Sequence, residues 1–154
     1  MAIKIYGRLS SANVQKINWF CEYANINVIN LNYGGIHGKT QTTEFKDMNP
    51  NSRVPVLDDD NFILYESNAI LRYLSKKFDI LVEEKKEISG KIDQWIDWGS
   101  FTFASPCSLL TAHKLSLPQD QRDELIADKA KNDIFGLLNI LNNHLAKKDF
   151  IVDK

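Results

Sequence analysis

The chain has 154 residues, with 19 Lys plus Arg against 20 Asp plus Glu, and a formal net charge of -1 speaks against a nucleic-acid surface or a membrane-adsorbed face. The opening MAIKIYGRLSS has no signal-peptide layout and no later run reaches membrane-spanning length, so a soluble, cytoplasmic protein is expected. Cys21 and Cys107 sit far apart in unrelated patterns and read as small packing residues, with neither a disulfide nor a metal indicated.

In chain order, Ile3 to Tyr6 alternate in part between apolar and polar and lead to Gly7, which reads as a short strand entering a loop. From Asn13 the spacing turns helical, with Val14, Ile17, Cys21 and Ala24 on one stripe and Asn25 ending it. Val28 to Leu31 form a second strand. A strand, a helix and a strand within about thirty residues make a right-handed crossover, which implies parallel pairing. Three glycines and several hydroxyl residues in NYGGIHGKTQTTEFKDMNP predict a loop with at most a short helix from Thr43 to Met48. Loops of this length are uncommon unless they serve a site.

The segment NPNSRVPVLDDDNFILYESNAILRY, Asn49 to Tyr73, organises what precedes it. Two apolar runs, Arg53 to Leu57 and Phe62 to Tyr65, flank Asp58, Asp59, Asp60 and Asn61, a hairpin link. Ile70, Leu74 and Phe78 then recur every fourth residue, and Ser67 is placed as the helix N-cap. Pro55 cannot donate to a ladder; a cis Val54-Pro55 bond would leave the backbone of Val54 open to an added peptide strand. Ser67 and the free amides of a helix N-terminus suit a carboxylate, while Glu66 suits an ammonium. Together they fit the α-amino acid end of a ligand whose peptide pairs with Val54.

After Phe78, residues 79–84 read as a linker. A long helical pattern carries Ile88, Ile92, Trp95, Ile96 and Gly99 until Pro106, which is expected to kink or end it. A second helix opens near Pro118 with Ile126, Ala130, Ile134, Leu137, Leu138, Leu141 and Leu145 on one stripe.

With these residues in place the chain resembles the cytosolic glutathione transferases, whose Val-Pro turn and Glu-Ser pair hold glutathione; in spacing it is similar to the theta class and theta-like bacterial members. The resemblance implies an α/β thioredoxin-like domain of order βαβαββα over 1–78 and an all-α helical domain over 85–154. The helical domain looks incomplete, since the family's normally continues beyond such a point. It implies glutathione as co-substrate, with Val54, Glu66 and Ser67 binding it. A His-Lys pair of theta members is replaced here by Thr40 and Gln41, leaving Gln41, Lys39 and Arg53 as candidates for the glycyl carboxylate, Arg53 the best placed. Lys39 and His37 also read as solvated loop residues.

The same resemblance puts the activating group in the loop after the first strand, on Ser11, with Asn13 as a second donor and Ser10 as a rival. A free thiol of this kind has a pKa of about 8.5. A charge-assisted hydrogen bond from Ser11 and the helix dipole could supply on the order of 1–3 kcal/mol, about one or two pKa units. Helix capping is the plainer role for Ser11 and Asn13, and it is compatible with the first. No Cys-x-x-Cys stands there, which disfavours disulfide exchange through a protein thiol.

The implied reaction is conjugation of glutathione to a small hydrophobic electrophile, or glutathione-dependent reduction of a peroxide or disulfide. Trp98, Phe101 and Phe103 are candidates for the apolar wall, although aromatics at helical spacing are more often core. The alternative is a non-catalytic glutathione-binding or assembly module. A homodimer is implied; nucleic acid and membrane partners are not.

Overall fold

Ile3 and Ile5 project from one side of the first strand and Tyr6 from the other, and this alternation decides which layer each joins. The computed structural model describes Ala2–Val152; Met1, Asp153 and Lys154, the outermost residues of the expected domains, lie outside the described residues. The chain divides into two compact units, Met1–Val82 and Glu83–Lys154.

The first unit runs β1 (Ile3–Tyr6), α1 (Ala12–Tyr23), β2 (Val28–Leu31), a 3-10 turn at Gly35–His37, α2 (Thr43–Met48), β3 (Val56–Asp59), β4 (Phe62–Tyr65) and α3 (Ser67–Phe78). The strands form one sheet in the order β2-β1-β3-β4. β1 pairs β2 in parallel, Ile3 opposite Val28, and pairs β3 antiparallel, Ile5 opposite Leu57. The βαβαββα order expected from the sequence is the order found.

Ile3, Ile5 and Leu57 share a buried cluster with Val14, Ile17, Phe20 and Cys21 of α1 and Ile70 and Leu74 of α3. Burying a side chain of this size stabilises by about 1.5–3 kcal/mol, so this cluster is what fixes α1 and α3 to the sheet. On the opposite face Tyr6 meets Tyr33 edge-on at 5.1 Å, and Tyr33 stacks on the buried Phe45 of α2 at 5.3 Å.

The hairpin is tighter than the sequence suggests. Its turn is Asp60-Asn61, both at positive φ (56° and 71°), the conformation a two-residue link requires. Asp58 and Asp59 are strand residues and buried, where the sequence reading placed them in the link. Asp58 accepts from the Asn61 amide at 2.9 Å and pairs with Lys4 at 3.0 Å. Asp59 accepts from the Tyr73 hydroxyl at 2.6 Å and pairs with Lys77. These partners are what make two buried carboxylates tolerable.

The second unit is helical among the described residues. α4 (Lys86–Asp97) passes through π-helical turns at Trp98–Phe103 into α5 (Ala104–Thr111), then through a second π-helical stretch at Ala112–Ser116. Pro106 neither ends the helix nor opens it; it lies buried inside α5. The wider turn just ahead accommodates the carbonyl that a proline leaves unpaired. Pro118 does not open the last helix either. A 3-10 turn occupies Gln119–Gln121, and α6 (Glu124–Leu145) starts after Asp123, whose Oδ1 accepts from the amides of Leu125 (2.8 Å) and Ile126 (3.2 Å). A side chain that satisfies two orphan amides outweighs the preference of proline for the first turn. α5 and α6 pack together, with Ala127 and Ala130 fully covered.

Candidate functional site

Three chain segments meet at one end of the sheet in the first unit: the loop after β1, the segment leading into β3, and the start of α3. Gly7 sits where the first two approach. A Cβ there would lie 2.5 Å from Val14 Cγ2 and 3.4 Å from Val54 Cβ, so only glycine lets the loop, α1 and Val54 come this close.

Ser11 is the N-cap of α1, with extended backbone (φ -83°, ψ 122°). Its carbonyl accepts from the amides of Val14 and Gln15, both at 2.9 Å, but its hydroxyl makes no capping bond. The plain capping role is therefore not what its Oγ does, and the hydroxyl is left at the mouth of a helix where the dipole favours negative charge. Ser10, its rival, is exposed.

Val54 is reached through a turn built on Asn49. The buried Asn49 side chain donates to the Arg53 carbonyl at 2.7 Å and accepts from the Asn51 amide at 3.0 Å. The Val54-Pro55 bond is cis. Among the described residues no backbone hydrogen bond uses the N–H or C=O of Val54. β3 begins only at Val56, so the apolar run read as starting at Arg53 enters the sheet three residues later.

At the third segment the structure corrects the cap of α3. Glu66, not Ser67, is the N-cap, and it has φ 70° and ψ 110°. A non-glycine residue there costs of order 1–3 kcal/mol and persists only where its surroundings hold it. Ser67 is the first helical residue, buried, and its Oγ donates to Asn13 Oδ1 at 3.2 Å. Beside that link Lys16 Nζ donates to Asn68 Oδ1 at 2.6 Å. Burial lowers the Lys16 pKa, opposed by Glu66 and reinforced by Arg72. The N-terminal halves of α1 and α3 are thus joined twice.

The sequence-predicted residues divide accordingly. Ser11, Asn13, Val54, Glu66 and Ser67 belong to these three converging segments. Gln41 and Arg53 are exposed, and no hydrogen bond joins their side chains to the others. Lys39 stands over the Tyr33 ring at 5.3 Å. Sequence reasoning missed Asn49, whose signal was an Asn-Pro-Asn run ending three residues ahead of Val54, and it missed Lys16. In the second unit Trp98 stacks on Phe103 at 5.6 Å, and Phe101 is exposed.

A family model, the N-terminal domain of glutathione S-transferase, matches residues 1–76. Over 149 residues the chain is 30% identical to glutathione S-transferase GstB of Escherichia coli, spanning 94% of this chain and 72% of that protein. The chain belongs to the glutathione S-transferase family. A theta-class glutathione S-transferase from Xanthomonas axonopodis pv. citri, solved with glutathione bound, superposes with a TM-score of 0.91 at 32% identity, covering 97% of this chain and 73% of that one. Glutathione S-transferase F10 of Arabidopsis thaliana is 23% identical over 158 residues. The glutathione S-transferase fold, a thioredoxin-like domain followed by a helical one, is the fold described above. Among the described residues no helix is long and apolar enough to cross a membrane.

Proposed function

We propose that this glutathione S-transferase family member binds glutathione across the three converging segments and activates its thiol for attack on a small hydrophobic electrophile. Each contact follows from the chemistry of the group that makes it. The unpaired backbone of Val54 pairs with the cysteinyl residue as an added strand. The γ-glutamyl carboxylate takes the first-turn amides of α3, that of Ser67 among them, and its ammonium faces Glu66. Gln41 and Arg53 flank the glycyl end. Ser11 then donates to the sulfur, with Asn13 as second donor, so that the thiolate form is favoured at neutral pH.

The observation that carries this reading is the Ser11 hydroxyl, which caps nothing although it stands at a cap position. Its hydrogen bond is available to a ligand. Ser11→Ala removes one charge-assisted bond to a developing thiolate, worth about 1.5–3 kcal/mol, and lowers kcat by about 10- to 100-fold. Kd for glutathione measured by calorimetry stays within threefold. Unchanged kcat in a conjugation assay would reject the role of Ser11, and no heat of binding would reject glutathione as ligand.

The proposal extends to a cytoplasmic homodimer. Exposed apolar side chains on α6, such as Phe135 and Ile140, support association. Sedimentation equilibrium of the 154-residue chain tests it, with a monomer at micromolar concentration as the contrary result.

A further inference from the structure

We infer that Arg8 is a ligand-binding residue of this site and that its guanidinium takes the glycyl carboxylate of glutathione, an assignment that rests on the glutathione reading above. Arg8 is in the loop that carries Ser11, and its carbonyl accepts from the Ser11 amide at 3.1 Å. Its side chain lies against Gly34 and Gly35. A Cβ on Gly35 would lie 2.9 Å from Arg8 Cδ and 3.1 Å from its Nε. A Cβ on Gly34 would lie 3.3 Å from Arg8 Nη1 and 3.4 Å from Val54 Cγ1. The guanidinium therefore stands beside Val54, on the side of the segment that continues to Lys39 and Gln41.

Its state of pairing is what singles it out. In the first unit the half-buried cations are Arg8, Lys16 and Arg72. Lys16 bonds Asn68, and Arg72 has an interaction of its own. The Arg8 side chain has no hydrogen bond or ion pair among the described residues. Arg8 is half-buried as a residue, and its guanidinium carries several donors that a ligand can take up. Two glycines at positive φ (79° and 57°) make the room in which it lies. A rigid, bidentate fork is the group best matched to a carboxylate. Of the anionic groups of glutathione, the glycyl carboxylate is the one that a peptide paired to Val54 directs toward this segment.

The test is a cycle between side chain and ligand, read by calorimetry on the 154-residue chain. Wild type and Arg8→Met, which keeps an apolar stem, are titrated with glutathione and with its glycine ethyl ester. Arg8→Met weakens glutathione at least tenfold and changes the ester by less than twofold, and wild type prefers glutathione over the ester by a similar factor. Arg8→Lys, which keeps charge without the fork, falls between and serves also if the methionine variant does not fold. Equal losses for both compounds, or no loss for either, overturn the assignment. So does a preference for the free carboxylate that survives in the Arg8 variants and disappears in Arg53→Met. A wild-type chain that binds neither compound overturns the glutathione reading itself, a result distinct from these.

Discussion

Ser67 Oγ donates to Asn13 Oδ1 at 3.2 Å, so the first turn of α3 is held to the first turn of α1 by two residues 54 positions apart. One of them belongs to the part of the site proposed to hold the γ-glutamyl end, and the other stands two residues from Ser11. The link gives these two parts a fixed separation. Asn13→Ala is expected to weaken glutathione binding about three- to tenfold, the loss of roughly one hydrogen bond of about 1 kcal/mol. Because Asn13 and Ser67 share that bond, the Asn13→Ala, Ser67→Ala double variant should lose less than the sum of the single variants. Calorimetric Kd values for the four proteins check this, and strict additivity would contradict it.

Asp59 ties acid stability to the far end of the sheet. Burial raises its pKa, but hydrogen bonds from Lys77 and Tyr73 and the charge of Lys77 outweigh burial, and the folded value lies below the ordinary one. A depressed carboxylate contributes stability that is complete above its unfolded value of about 3.9 and is lost as pH falls through the folded value. Asp59→Asn should therefore lower stability near pH 7 by on the order of 1–2 kcal/mol. The difference from wild type should shrink below about pH 4. Thermal melts between acid and neutral pH would show the two curves converging; parallel curves would count against it.

Gly7→Ala tests the closeness of the loop to α1. The added methyl would meet Val14 Cγ2 at 2.5 Å, and Val14 is fully buried. Overpacking of this kind costs about 1–3 kcal/mol. Urea unfolding should show a lower midpoint with unchanged slope. Shortening the opposing side chain, Val14→Ala, should recover part of the loss when combined with it.

Cys21 should be slow to react. Its thiol is buried, and burial pushes its pKa up to about 11. Cys107 is half-buried. Timed alkylation at neutral pH followed by peptide mass spectrometry is expected to label Cys107 well before Cys21 in the folded protein. Both should be labelled at similar rates in denaturant.

Where a single period governed the residues, the fold was readable from the sequence. The stripe Val14, Ile17, Cys21 and the alternation of Ile3 and Ile5 each followed from burying one side, and Val28 to Leu31 pairs with β1 in parallel as the crossover requires. The misplacements came from side chains that took partners distant in sequence. Ser67 looks like a cap because serine favours that position, yet its hydroxyl goes to Asn13 and Glu66 takes the cap at a positive φ. Asp58 and Asp59 look like turn residues, yet Lys4, Tyr73 and Lys77 hold them within the strand. Pro118 looks like a helix start, and Asp123 supplies one five residues later. At the site, the residue types of Val54, Glu66 and Ser67 announced their chemistry. The support under Val54 did not, because the buried bonds of Asn49 are visible only once the turn is closed.

That turn also bears on how a ligand would arrive. Asn49 fixes the path from Asn51 to Arg53 with its own side chain, so the edge offered by Val54 is already set in shape before anything docks on it. An incoming peptide then meets a finished template. It has little loop entropy to remove, and association at that edge should proceed as a single encounter step, its rate rising linearly with ligand concentration.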